Sequence, residues 1–477
     1  MATRATKIVA TLGPASSDPA LLIEMLRAGV NVVRLNFSHG VSQDHIDRAT
    51  AVREAAKIVG REVAIMADLQ GPKIRVGKFA KGKIELLEGA AFVLDGDRTE
   101  LGDVDAVGLD YKELPRDVKA GDVLLLNDGL IVLNVTAVRG EQVHTKVVVG
   151  GELSNNKGIN KQGGGLSAPA LTAKDMDDIK TAMSLRADYV AVSFPQSATD
   201  MELARQLCNV AGEPFKHKAS LIAKIERAEA IPHLASILKA SDGIMVARGD
   251  LAVEVGNAAV PALQKRMIRM AHELDKVAIT ATQMMESMIL APVPTRAEVS
   301  DVANAVLDGT DAVMLSAETA AGKYPLETVR QMAAICLAAE EANEAELNLT
   351  TTNKSFRRVD QSIAMGALFT AHHCGAKAIV AMTDSGSTAL WMSRFDMHMP
   401  IYALTTRLAT QRRMAMYRNV RPLLMDNSTD RDAALLDAER HLIKRGIVQS
   451  GDIYAITCGE PLGEPGGTNL LKICRVK

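Results

Sequence analysis

The chain reads as an α/β protein: a (β/α)8 TIM barrel, interrupted by an inserted β domain and followed by a C-terminal open-sheet α/β domain. Three observations predict this. Eight buried-strand patterns, each followed by an amphipathic helix pattern, occupy residues 1–70 and 169–345, which together approach the ~250 residues of such a barrel. Between Gly71 and Ser167 the alternation stops, and short Val/Leu/Ile runs are separated by Gly-Asp, Asn-Asp-Gly and Gly-Gly turn signals. After a polar stretch, Glu346–Arg358, five further strand patterns appear. A doubly wound open sheet is the alternative for the first eight units, but eight parallel units in register favour closure.

The elements follow in order. Lys7–Thr11 is the first strand. Ser17 or Asp18 caps the first helix, with Pro19 in its first turn, Leu22, Met25 and Leu26 at helical spacing, and Gly29 at its end. Val30–Asn36 is a strand, Asp44–Val59 a helix and Val63–Leu69 a strand. Within 71–168, Lys83–Leu87, Val123–Leu126, Leu130–Ala137 and Gln142–Val149 read as strands of a small β domain, ending in a flexible stretch at Gly163-Gly164-Gly165. The barrel resumes with strands Tyr189–Phe194, Leu221–Glu226, Gly243–Arg248, Val277–Thr282 and Asp311–Ser316. Residues 346–358 read as a linker. The last domain, 359–477, carries strands Ala378–Met382, Ile401–Leu404, Val420–Met425, Ile453–Thr457 and Leu470–Val476.

Composition excludes several classes. Of 477 residues, 47% are hydrophobic and 23% charged, which is a folded chain. Lys+Arg 55 against Asp+Glu 57 leaves a net charge of −2, so no bulk field draws the chain to nucleic acid or an anionic membrane. Aromatic residues at 3% are too few for base-stacking platforms. No apolar run reaches the ~18 residues of a membrane span. Five scattered cysteines without a CxxC pair argue against disulfides and zinc, and for a reducing cytoplasm.

Barrel enzymes work at the carboxyl ends of their strands, and those ends are dense in polar groups here. Strand two ends in Arg34-Leu35-Asn36-Phe37-Ser38-His39. Strand three ends in Asp68, followed by Lys73 and Arg75. Strand five ends in Lys224-Ile225-Glu226, strand six in Arg248-Gly249-Asp250, strand seven in Thr280-Ala281-Thr282-Gln283, and strand eight in Ser316-Ala317-Glu318. Arg34, Lys73, Arg75, Lys224 and Arg248 supply cations for phosphate or carboxylate recognition. Glu226 and Asp250, on adjacent strands roughly 5 Å apart, repel unless a proton or cation lies between them. A hard divalent ion such as Mg²⁺ resolves that conflict and fits phosphoryl transfer.

Each feature also has a plain structural reading. A lone Lys-x-Glu is usually an ion pair and Arg-Gly-Asp usually a turn. His39, His45, His372 and His373 read as polar surface or capping residues, Cys208 and Cys336 as inert core, and the Met284-Met285 and Met267–Met270 runs as packing. The coincidence of polar clusters in one barrel register is what carries the signal. No Walker A pattern occurs, and no GxGxxG follows a strand, which disfavours P-loop and dinucleotide enzymes. In the last domain, Thr383-Asp384-Ser385-Gly386-Ser387-Thr388 opens a helix after a strand, as a phosphate cradle or a simple capped start.

These segments resemble the pyruvate kinases over nearly the whole chain. The matching stretches are Asn31–Gly40, Asp68–Arg75, Ala223–Glu226, Met245–Leu251, Ala281–Met288 and Pro294–Glu298. The resemblance implies conversion of phosphoenolpyruvate and ADP to pyruvate and ATP, in a homotetramer whose chains carry a β-barrel lid at 71–168 and a regulatory domain. It implies that Glu226 and Asp250 bind Mg²⁺, with Mn²⁺ a possible substitute, that Arg34 holds the substrate phosphate, and that Lys224 neutralises the phosphoryl group and then the enolate. Thr282, with the N–H groups of Gly249 and Asp250, would seat the carboxylate, and Thr282 is also linked to protonation of enolpyruvate through water. Arg75, His39, Lys157 and Asn36 match nucleotide contacts, while Asn36, Ser38 and Asp68 match a monovalent-cation site. A Schiff-base aldolase or lyase using Lys224 is the alternative, although Glu226 beside it disfavours an unpaired amine. A catalytically dead scaffold is the third class.

Two departures from the family pattern matter. Potassium-dependent members have an acidic residue where Lys73 stands, and a threonine and a lysine where Leu69 and Gln70 stand. A fixed ammonium repels a second cation by about 4 kcal/mol for unit charges ~4 Å apart at an effective dielectric near 20. Activity without K⁺ is therefore expected, with Asn36, Ser38 and Asp68 orienting Lys73. The 383–388 loop matches the family's effector-phosphate site. The loop Gly459–Gly467 lacks the tryptophan and arginine that grip a second phosphate in members activated by fructose 1,6-bisphosphate, and its Glu460 and Glu464 would repel one. A sugar monophosphate or AMP is the expected effector.

Overall fold

The eight strand patterns close into a ring of parallel strands taken in sequence order: Lys7–Leu12, Val32–Asn36, Ala64–Asp68, Tyr189–Val192, Ser220–Ile225, Gly243–Ala247, Val277–Ala281 and Ala312–Leu315. The last pairs with the first, Lys7 opposite Ala312, which excludes the open sheet. The computed structural model describes residues 4–72, 74–342, 356, 358–395, 397, 399–426, 430–462 and 466–477. Most expected strands run one or two residues too long at their ends. The last residues of strands five to seven break out of the ladder to form the site. The linker 346–358 lies almost wholly outside the described residues.

Period-two alternation explains the packing. Along each strand one set of side chains (Ile8 and Ala10, Val33 and Leu35, Ile65 and Ala67) packs outward under the helices. The other set (Val9, Val32, Ala64 with Met66, Tyr189 with Ala191, Ile222) fills the barrel interior. The first helix, Pro19–Ala28, follows its predicted signals: the Asp18 carboxylate accepts from the N–H groups of Ala20 and Leu21, and Gly29 ends it at φ +126°.

Between strands three and four the inserted unit has its own apolar core, including Phe92, Leu94, Leu124, Leu133 and Val143. Its ladders form a six-stranded sheet and a separate pair, Lys83–Leu86 with Gly151–Ser154. Among the described residues, hydrogen bonding does not close this unit into the expected barrel. The pair packs on the core through Leu86 and Leu153 without joining the main sheet's edge. The C-terminal unit is an open five-stranded sheet with order Val420–Leu424, Ile401–Thr405, Ala378–Met382, Ile453–Gly459 and Thr468–Arg475, the last antiparallel at the edge. No described helix is long and apolar enough to cross a membrane.

The C-terminal unit docks on the amino ends of the barrel strands, and the barrel interior runs into its core at Leu368, Met392 and Met414. A buried carboxylate, Asp311, holds this junction just before strand eight. It is fully buried and accepts from Arg394 Nη1 at 2.9 Å, from the Arg418 N–H at 3.0 Å and from the Ala278 N–H at 2.9 Å. Burial opposes its charge, but Arg394 outweighs that and holds the carboxyl below its ordinary range. A depressed carboxyl stabilises the fold above the unfolded pKa, and that contribution is lost as pH falls through the folded one. Asp311→Asn leaves a buried guanidinium unpaired, so urea unfolding should show a loss of about 3–5 kcal/mol. A loss below about 1 kcal/mol would show that Asp311 is not what holds the junction.

Candidate active site

The interior parity that places Val9, Val32, Ala64 with Met66, and Ile222 inside the barrel continues at the carboxyl ends as Thr11, Arg34, Asp68, Ser193 and Lys224. These five, from strands one to five, form one hydrogen-bonded layer. Asp68 lies at its centre, fully buried. Its Oδ2 accepts from Arg34 Nε at 2.5 Å, and its Oδ1 lies 3.2 Å from Lys224 Nζ. Arg34 Nη1 also donates to Thr11 Oγ1 at 3.1 Å. Lys224 Nζ donates to Ser193 Oγ at 2.6 Å and stands 2.9 Å from Glu226 Oε1.

The charges explain one another. Burial opposes ionisation of both Asp68 and Lys224, yet their mutual attraction, with Arg34 beside Asp68 and Glu226 beside Lys224, wins. The Asp68 carboxyl is held below its ordinary value and the Lys224 ammonium above its own. Glu226 goes the other way. Burial first, then the Asp250 carboxylate, pushes it up to about 7 against the pull of Lys224. Asp250 is raised too, by burial with the Asp128 and Asp68 carboxylates adding to it.

Buried Glu226 and half-buried Asp250, which both resist ionisation, are oxygen donors suited to a divalent cation. Among the described residues no set of three or more His, Cys, Asp or Glu forms an all-protein cage. A cation between Glu226 and Asp250 would therefore keep positions for substrate or water oxygens.

Asp250 does not end a strand. Strand six stops at Ala247, and Arg248–Val255 is a helix with Asp250 in its first turn. The sequence pattern misplaced Arg248 as well. It is buried, pairs with Asp301 at 2.7 Å and donates to the carbonyls of Ala281 at 3.2 Å and Thr282 at 2.7 Å. Those bonds hold Thr282 and Gln283 at φ +67° and +52°, a region a β-branched residue rarely enters. So turned, Thr282 Oγ1 accepts from the Gly249 N–H at 2.8 Å.

A cavity of about 250 Å³ opens over this layer, walled by Arg34, Ser38, Lys224, Glu226 and Asp250 from the barrel and by Arg75 and Asn160 from the insert. A second, of about 530 Å³, lies between Asp128 and Gly129 of the insert and the Asp250 helix, beside Gly249 and Gln283. His39 is exposed and Lys157 half-buried, and neither walls these cavities; nor does Asn36, whose Oδ1 accepts from the Ser38 N–H at 3.1 Å. The Leu69 side chain packs in the outer core, its carbonyl accepting from Ser193 Oγ at 2.7 Å. Lys73 lies outside the described residues, and Asp68, expected to orient it, is engaged by Arg34 and Lys224.

Sequence reasoning missed Ser193, Phe194, Arg227 and Glu254. The alternating pattern through Tyr189 and Ala191 already pointed Ser193 inward. Phe194, at φ +56°, gives no such signal, yet its N–H donates to Glu226 Oε2 at 2.9 Å. His45, read as surface, is buried and stacks on Phe37 with centroids 4.0 Å apart.

In the C-terminal unit, Thr383 Oγ1 accepts from the Gly386 N–H at 2.9 Å, and Ser385 and Ser387 share a hydroxyl contact of 2.7 Å. Thr388 is buried and bonds Thr468 at 2.9 Å, so its hydroxyl faces the interior. Glu460 is paired at 2.8 Å with Arg431, which also meets Asp432 at 3.1 Å, so part of the repulsion expected of Glu460 is offset. Glu464 lies outside the described residues.

A family model described as pyruvate kinase, barrel domain, matches residues 3–329, and one described as pyruvate kinase, alpha/beta domain, matches 361–474. Pyruvate kinase II of Salmonella typhimurium is 50% identical over 479 aligned residues, covering 99% of each chain. A pyruvate kinase of Buchnera aphidicola is 48% identical over 478, again covering 99% of each. A crystal structure of a pyruvate kinase from Cryptosporidium parvum superposes with a TM-score of 0.94 at 33% identity, covering 99% of this chain and 96% of that one. With both family models along its length and relatives about half identical from end to end, the chain belongs to the pyruvate kinase family.

Proposed function

We infer that the chain transfers the phosphoryl group of phosphoenolpyruvate to ADP, giving pyruvate and ATP. The observation that carries this is the layer of Arg34, Asp68, Lys224 and Glu226 under a cavity that the inserted unit covers. Arg34 is fixed by Asp68 and Thr11, which aims its guanidinium at the substrate phosphate. Lys224 meets the transferring group and then the enolate oxygen. Its three oxygen partners keep it an ammonium, which opposes the Schiff-base reading.

The family requires a divalent metal, and Glu226 and Asp250 fit one. Mg²⁺, with Mn²⁺ as a substitute, would supply neutralisation of the phosphoryl oxygens when bound. Thr282 and the N–H groups of Gly249 and Asp250 receive the carboxylate, and Thr282 directs a water-borne proton to enolpyruvate. Arg75, His39, Lys157 and Asn36 contact the nucleotide. Residues 71–168 act as the lid that excludes water, 1–70 and 169–345 as the catalytic barrel, and 359–477 as the regulatory domain of a cytoplasmic homotetramer.

Lys224→Met keeps the side chain's length and removes its charge. In a lactate-dehydrogenase-coupled assay kcat should fall on the order of 10³-fold or more, with a smaller change in KM for phosphoenolpyruvate. Ordinary turnover would remove Lys224 from the mechanism.

Lys73 stands where potassium-dependent members carry an acid, so turnover proceeds without K⁺. With tetramethylammonium replacing all K⁺ and Na⁺ at fixed Mg²⁺ and ionic strength, the rate should hold within a few-fold. A tenfold drop restored by K⁺ refutes this.

The 383–388 loop, through Thr383, Ser385, Gly386, Ser387 and Thr388, takes a phosphorylated effector. Since Arg431 offsets part of the Glu460 charge, the case for one phosphate rests chiefly on the missing tryptophan and arginine. Glucose 6-phosphate, ribose 5-phosphate or AMP should activate at lower concentration than fructose 1,6-bisphosphate. The reverse order would overturn the assignment.

A further inference from the structure

The glycines that end the insert are gripped from the barrel. Gly163, Gly164 and Gly165 take φ of +79°, +82° and +95°, a path open to glycine and strained for other residues. The Gly163 N–H donates to the Glu254 carbonyl at 3.1 Å, and the Gly165 N–H donates to Glu229 Oε1. A Cβ at Gly164 would stand 2.5 Å from Glu229 Oε2, so that carboxylate lies flush against the backbone. Asn160 Nδ2 reaches Glu254 Oε1 at 3.5 Å. The carbonyls of Leu166 and Ala168 accept from Arg227 Nη1 at 3.4 and 3.2 Å.

The gripping groups are themselves poorly matched to one another. Glu229 and Glu254 are like charges with Arg227 among them, and burial first, then Glu229, pushes the Glu254 carboxyl up to about 7. Glu254 Oε2 finds the Ala228 N–H at 2.8 Å, but Glu229 Oε2 and Arg227 Nη2 are buried without a hydrogen-bond partner. Buried orphans are rare and call for an explanation. Two carboxylates that repel gain most from outside N–H donors, and the insert brings those donors.

We propose that Arg227, Glu229 and Glu254 form a clasp that holds residues 160–168 of the insert against the barrel and keeps the substrate cavity covered during turnover. The inference rests on the phosphoryl-transfer reading, and the three are positioning residues that act through the insert. The clasp joins the reaction centre directly. Arg227 follows Glu226 in the chain and lies 5.2 Å from the centroid of the Phe194 ring, whose backbone N–H holds the Glu226 carboxylate.

The test uses the full chain. In Glu229→Ala, backbone hydrogen exchange in the 158–168 peptide, measured without substrate, should quicken at least tenfold while barrel-strand peptides hold. Its kcat should fall tenfold or more with KM for phosphoenolpyruvate changed less than threefold. Glu229→Gln keeps an oxygen for the Gly165 N–H and should retain at least half of kcat. If thermal melting shows Glu229→Ala unfolded, Glu254→Ala against Glu254→Gln carries the same comparison. Exchange unchanged and kcat within twofold of wild type in the alanine variants would overturn the clasp. Wild-type turnover tests the phosphoryl-transfer reading separately, and exchange without substrate does not depend on it.

Discussion

Asp68 is the group on which the upper barrel depends. Two cations, Arg34 and Lys224, enter a space that strand parity makes interior, where an unpaired charge is costly. One fully buried carboxylate serves both, an arrangement stable only while its geometry is complete. Asp68 also determines what remains free. With Arg34 Nε on Asp68 and Nη1 on Thr11, the remaining donors of Arg34 face the cavity, while Lys224 spends its three donors on Asp68, Ser193 and Glu226. Glu226, pulled toward Lys224 yet pushed up by burial and Asp250, is left in want of a second cation.

Three non-glycine residues with positive φ stand at the same end of the barrel. Phe194, Thr282 and Gln283 lie just past the ends of strands four and seven with positive φ, a conformation that persists only where surrounding bonds over-determine it. Arg248 supplies those bonds for Thr282, and the Glu226 carboxylate receives the Phe194 N–H. The strain turns a backbone N–H and a threonine hydroxyl toward positions a regular strand could not reach.

The opposite end of the barrel is tied to the C-terminal unit by equally buried contacts. Lys7 Nζ donates to the Val420 carbonyl at 2.6 Å, and Tyr189 Oη donates to the Arg413 carbonyl at 2.6 Å. Arg413 Nη2 in turn donates to the Ser385 carbonyl at 2.8 Å. Tyr189 is an inward residue of strand four, so the 383–388 loop and the barrel interior are joined through two hydrogen bonds.

The closed eight-stranded ring, the interruption after strand three and the final open sheet were legible in the sequence, because they follow from local periodicity and turn chemistry. Period two also selected Arg34, Asp68, Lys224 and Glu226 as groups ending apolar strands, where charge has few places to go. The sequence could not say how those charges are shared. Asp68 serves Arg34 and Lys224 across strands far apart in the chain, while Arg248, alike in pattern, spends its guanidinium on Asp301 and the strained turn. Nor could it move Asp250 from a strand end to a helical turn, send Leu69 into the outer core, pair Glu460 with Arg431, or bring Glu229 to Gly165. Burial of a polar group is decided by what arrives from other segments, and only the folded barrel brings those segments together.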